Sequence, residues 1–141
     1  MIENRTAPYA ALVLRLSLGV MFVAHALLKV FVFTLPGTVQ FFASLGLPAV
    51  LAYATFGAEL VGGTLLVLGV KTRAVSLALI PILLGATWAH AGNGWLFSAP
   101  NGGWEYPAFW TVTLAVQALL GNGAFALGSR RIAAAPRLQT A

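Results

Sequence analysis

Five ionisable side chains stand inside or at the margins of long apolar stretches: Arg15, His25, Lys29, Glu59 and His90. A charge at the centre of a membrane helix costs about 2.5–3.5 kcal/mol on insertion scales, so each needs a partner or a task. A carboxylate beside imidazole and amino groups in apolar surroundings can take up and release protons, and the same groups can hydrogen-bond a polar ligand. At 3.6 residues per turn, His25 lies about 40° from Lys29 on one side and Arg15 about 40° on the other, giving a cationic stripe about 80° wide. Glu59 lies mid-stretch, with no charged residue on its own helix. Ala54, Ala58 and Gly62 recur around it at four-residue spacing, with Gly63 adjacent, and small residues so placed let a second helix approach closely. The pattern puts a carboxylate on a close-packed helix facing the stripe. At about 1.5 Å per residue, His25 is nearest Glu59 in depth, with Arg15 and Lys29 able to reach in from either side. Lys29 is also near enough to the outer surface to snorkel. A buried pair of this kind can equally do no more than fix helix register.

The elements that must position these groups follow from composition. Of 141 residues, 60% are hydrophobic and 8% charged, against roughly 25% charged in soluble domains. A soluble domain of this size could not hide so much apolar surface. Residues 30–58, 60–70, 74–104 and 106–129 carry no charge. A spanning helix needs about 20 apolar residues, so one membrane domain over residues 1–141 is expected, an all-α four-helix bundle with spans near 9–33, 48–70, 74–91 and 107–127. Pro8, Pro48 and Pro107 open the first, second and fourth spans. Pro81 should kink the third. Residues 34–47, with Pro36-Gly37, read as a loop, as do residues 92–106.

Arg5, Lys71, Arg73, Arg130, Arg131 and Arg137 all fall on one side of this arrangement. Both termini are therefore expected in the cytoplasm, with the two longer loops outside. Ala24-His25-Ala26 imitates a signal cleavage site, but Arg15 interrupts the apolar run, so cleavage is not expected. Trp95, Phe97, Trp104, Tyr106 and Trp110 fit an outer aromatic belt, and with Trp88 they could also wall a ligand. Glu105 is a loop carboxylate. The chain has no cysteine, which excludes thiolate metal sites, iron–sulfur clusters and thiol catalysis from this chain. No metal site is expected. Haem is disfavoured, because His25 and His90 differ in depth by about 5 Å and are the chain's 2 histidines. The net charge of +5 comes from helix-end cations that set topology, so no nucleic-acid partner is expected.

These residues carry a resemblance. Arg15-Leu16-x-Leu18-Gly19-x-x-Phe22-x-x-His25-x-x-x-Lys29, Glu59-Leu60-x-Gly62-Gly63 through Leu68-Gly69, Arg73, and His90-Ala91-Gly92-Asn93-Gly94-Trp95 with Gly102-Gly103-Trp104-Glu105-Tyr106-Pro107 resemble the DoxX family of small four-span membrane proteins over roughly residues 10–127. The resemblance implies a bacterial inner (plasma) membrane location and a subunit of a quinone-linked oxidoreductase. In that reading Glu59 and His25 are catalytic. Arg15, Lys29, His90, Trp88, Trp95 and Glu105 bind the cofactor, a quinone, and a redox partner protein supplies electrons, since the chain has no redox motif of its own. A proton- or cation-coupled permeation unit and a non-catalytic membrane anchor remain the alternatives. Self-association of the chain is left open.

Overall fold

The structure, a computed structural model, describes residues 5–129. Arg130, Arg131 and Arg137, half of the cations behind the expected orientation, lie outside the described residues. Helices α1 (Ala7–Phe31), α2 (Leu35–Ser44), α3 (Ala49–Leu68), α4 (Thr72–His90) and α5 (Glu105–Leu120) follow in order, with short 3-10 turns at Ala91–Asn93 and Leu127–Ser129. Among the described residues, three stretches are long and apolar enough to cross a membrane: Ala7–Phe31, Ala49–Leu68 and Thr72–Asn93.

Two elements differ from the sequence reading. The loop expected at 34–47 contains α2, because Pro36 falls in a first helical turn and the Thr34 side chain caps it by accepting from the Gly37 N–H at 3.2 Å. The last helix stops at Leu120 rather than Leu127, since Gly121 and Gly123 both take positive φ. At about 1.5 Å per residue, α5 is about 24 Å long. Pro81 lies inside α4, which continues across it. The connection between α3 and α4 is a tight turn of residues 69–71, two residues earlier than the spacing suggests. Gly69 (φ 70°) ends α3 in the left-handed region, and Lys71 (φ 48°) precedes α4.

α1 packs most extensively on α3, and α4 on α5, while α3–α4 and α1–α5 contacts join the two pairs. The α1–α3 seam is backbone against backbone. A Cβ on Gly19 would stand 2.8 Å from the Gly63 carbonyl oxygen, and one on Gly63 would stand 2.9 Å from the Gly19 oxygen. Gly62, one residue back, makes room for Leu79 of α4. Around this contact Leu18, Phe22, Leu66, Leu79, Leu83, Trp110 and Leu114 form the buried core. The outward faces are apolar too, with Val13, Val20, Val61, Phe109 and Leu119 all more than half exposed. Apolar side chains on both faces suit lipid outside and protein inside.

A methyl group in the seam is therefore expected to be costly. Gly19→Ala and Gly63→Ala should each destabilise by about 1–3 kcal/mol through overpacking. Gly57→Ala and Gly85→Ala, where a Cβ meets nothing within 4 Å, should hold or raise the melting temperature in detergent. Equal effects at all four positions would contradict the seam.

Candidate functional site

Lys29 and Glu59 meet across the α1–α3 seam. The Lys29 Nζ donates to both Glu59 oxygens, at 2.7 Å to Oε2 and 2.9 Å to Oε1, with side chains 16% and 7% exposed. This is the one ion pair among the described residues. Its geometry follows from the lean of helical side chains towards their own N-terminus. In an antiparallel pair, Lys29 leans back into the seam and Glu59 leans forward to meet it. Lys29 therefore reaches inward to Glu59 instead of snorkelling outward.

The same lean carries Arg15 away from Glu59. Its guanidinium is 1% exposed, packs against Gly69 and donates from Nη2 to the Ala124 carbonyl at 3.3 Å. Its Nε and Nη1 have no hydrogen-bond partner among the described residues. The segment after α5 holds this end closed: the Ala124 N–H donates to the Pro8 carbonyl at 2.9 Å and the Gly128 N–H to the Gly69 carbonyl at 3.1 Å. Arg15 thus belongs to the opposite end of the bundle from the Lys29–Glu59 pair. Thr72, Ser76 and Gln117, on α4 and α5, are buried and polar as well.

His25 stands one turn below Lys29 and is close enough to Glu59 to interact with it electrostatically. Its Nδ1 lies 2.8 Å from the Met21 carbonyl. A carbonyl only accepts, so Nδ1 carries the hydrogen, and Nε2 is the nitrogen that can take a second proton. Two rings of α5 line the imidazole. Trp110 lies 4.8 Å away between centroids, and Tyr106 stacks on it at 6.2 Å, the two α5 rings being 5.7 Å apart. Trp110 is 4% exposed, and its indole N–H has no acceptor among the described residues. The site is thus a charge pair, an imidazole and an aromatic wall bearing an uncommitted donor. The sequence reading left Tyr106 and Trp110 in the aromatic belt, although their i, i+4 spacing already put them on one face of a helix.

His90, Trp88, Trp95 and Glu105 are not drawn into this cluster. The His90 Nδ1–H donates to the Asn101 and Gly102 carbonyls at 3.0 and 3.2 Å, and its ring stacks on Phe41 of α2. The Asn93 amide donates to the same two carbonyls at 3.1 and 2.9 Å. His90 therefore fastens the loop between α4 and α5. Trp88 is 59% exposed on α4. Trp95 stands edge-on to Trp104 at 4.6 Å, and Glu105 Oε1 accepts from the Phe97 N–H at 2.9 Å. Trp95 and Glu105, with Phe97, Tyr106 and Phe109, line a separate cleft of about 360 Å³. Tyr106 is the residue common to the cleft and the wall of His25. Among the described residues, no group of three or more His, Cys, Asp or Glu side chains is arranged to hold a metal ion.

Apolar helices with apolar outer faces and a charge pair in the seam define a multi-pass membrane protein. Residues 10–92 match the family model described as DoxX, and the chain belongs to the DoxX family. The chain is 39% identical over 83 residues to the Bacillus subtilis (strain 168) protein named "Putative oxidoreductase CatD", a match that covers 59% of this chain and 60% of that protein. The chain therefore covers less than two thirds of that relative. No solved structure matches it. The family match contains Arg15, His25, Lys29, Glu59 and His90 and ends before Trp95, Glu105, Tyr106 and Trp110.

Removing one partner of the buried pair strands the other. Lys29→Met and Glu59→Gln should each cost about 3 kcal/mol, and the double variant should recover much of the loss. Thermal melts of the four proteins in detergent measure this coupling. Strictly additive losses would mean that the two groups do not depend on each other.

Proposed function

We propose that this chain is the membrane subunit of a quinone-linked oxidoreductase and that the Lys29–Glu59–His25 cluster forms its quinone headgroup site. The observation that carries the reading is the buried Trp110 indole N–H, without an acceptor among the described residues, beside an imidazole and an ion pair in an otherwise apolar core. A quinone supplies a two-electron, two-proton acceptor with two carbonyl oxygens and a flat apolar ring. The residues fit that chemistry. Trp110 and Lys29 are donors suited to carbonyl oxygens, Tyr106 and Trp110 offer aromatic surface to a ring, and His25 Nε2 and the Glu59 carboxylate can hold protons. The relative named as an oxidoreductase supports the same class.

In this reading α5 is a fourth crossing, short for about 30 Å of hydrocarbon and completed by its flanking turns. The chain sits in a bacterial inner membrane with both termini cytoplasmic, following the cations Arg5, Lys71 and Arg73. Electrons arrive from a partner protein. Of the residues expected to bind the cofactor, Lys29 is kept. Arg15 becomes a buried cation at the other end, His90 a loop fastener, and Trp88, Trp95 and Glu105 lie outside the site. Proton or cation permeation and simple anchoring are the competing readings, and anchoring is favoured by the close α1–α3 seam.

Quinone content of the protein purified in mild detergent separates them. Near-stoichiometric quinone in the wild type, lost in Glu59→Gln, is the expected result. Because Glu59→Gln also breaks the ion pair, His25→Phe, which leaves the pair and the ring stack in place, is measured alongside and should lose quinone while remaining folded. Only trace quinone in all three, at the level of carried-over lipid, would move the assignment to anchoring or permeation.

A further inference from the structure

The cleft at the loop end combines features that, Tyr106 apart, the quinone site does not use. Trp95, Phe97, Tyr106 and Phe109 surround a space of about 360 Å³, and the fifth lining residue is the carboxylate of Glu105. All four aromatic residues are substantially exposed, from 40% for Tyr106 to 69% for Phe109, so the cleft is open to a ligand from outside. Glu105 has no cation within ion-pairing distance among the described residues, because the one described pair is Lys29–Glu59. Neither loop at this end contains Lys or Arg. A half-buried carboxylate without a counter-charge among four aromatic rings is complementary to a substituted ammonium ion. The ring quadrupoles attract the cation, the carboxylate supplies the opposite charge, and the apolar ring surface accommodates the alkyl groups.

The loop that lines the cleft is fastened by hydrogen bonds. The Trp104 N–H donates to the Gly94 carbonyl at 3.1 Å, and the Glu105 backbone N–H donates to the Trp95 carbonyl at 3.2 Å. Glu105 Oε1 accepts from the Phe97 N–H at 2.9 Å, which places the carboxylate among the rings. Gly103 lets the two halves of the loop approach: a Cβ there would collide with the Leu96 and Trp95 carbonyl oxygens. Aromatic residues placed only as an interfacial belt would need neither this closure nor a carboxylate among them.

We propose that the cleft of Trp95, Phe97, Glu105, Tyr106 and Phe109 is a binding site for an organic ammonium cation, either a small solute or the ammonium headgroup of a lipid. The site shares Tyr106 with the proposed quinone site, and its test leaves Tyr106, Glu59, Lys29 and His25 untouched.

The test is calorimetric titration of the full chain in a neutral maltoside detergent with choline, and with 3,3-dimethylbutan-1-ol, which has the same shape without the charge. Choline should bind saturably and the alcohol should not. Glu105→Gln, which retains an oxygen to accept from the Phe97 N–H, should weaken choline about tenfold. Phe109→Leu, on an exposed face, should weaken it several-fold at unchanged melting temperature. The two sources separate in nanodiscs. If a lipid headgroup is the natural occupant, replacing part of a phosphatidylglycerol bilayer with phosphatidylethanolamine lowers the apparent choline affinity. If a solute is, the affinity does not change. Equal binding of choline and the alcohol, no saturable choline binding, or an undiminished Glu105→Gln would each overturn the proposal.

Discussion

The Lys29–Glu59 contact is the constraint on which the rest of the structure depends. A lysine and a glutamate inside an apolar bundle are tolerable only together, and only at hydrogen-bonding distance. That distance requires α1 and α3 to lie close, antiparallel and in one register. Gly19 and Gly63 supply the closeness, because any side chain at either position would meet the other helix's backbone. The register then puts His25 beside the pair and leaves room for Trp110 of α5 to cover it. Small residues, charge pair and aromatic cover are parts of one solution to the cost of an intramembrane carboxylate.

The bundle keeps two polar zones apart. Arg15, Thr72, Ser76 and Gln117 are buried towards one end, and His25, Lys29 and Glu59 towards the other. Along each helix, core residues fall between the two zones: Phe22 on α1, Leu66 on α3, Leu79 and Leu83 on α4, and Leu114 on α5. This apolar layer lies between the basic hairpin and Glu59. Within the proposed function, protons and ligand reach the cluster from the loop end, where Tyr106 joins the wall of His25 to the aromatic cleft. Arg15 has a different role, holding α1 to the α3–α4 hairpin and to the segment after α5.

Much of this was legible in the sequence, for identifiable reasons. Charge-free windows and small-residue spacing are one-dimensional signals, and they located α1, α3 and α4 and the close packing around Glu59. Counting depth along helix axes favoured His25 as the nearest partner of Glu59 and left Lys29 near the surface, because it ignored the lean of side chains towards each helix N-terminus. With that lean included, Lys29 is the one that reaches Glu59, and Arg15 is carried away from it. α2 was missed because Pro36-Gly37 was read as a breaker when it sits in a capped first turn. The roles of His90 and Glu105 depend on loop closure through the Asn101, Gly102 and Phe97 backbone, which no spacing rule encodes.

In the proposed quinone site the Glu59 carboxylate is coupled to the bound quinone. Redox-induced infrared difference spectroscopy of the protein in quinone-loaded nanodiscs tests this coupling most directly, because it reports the carboxyl group itself when the quinone is reduced. A carboxyl band should change on reduction, disappear in Glu59→Gln and persist in Glu105→Gln. A difference spectrum with no carboxyl band, or one unchanged by Glu59→Gln, would contradict the coupling.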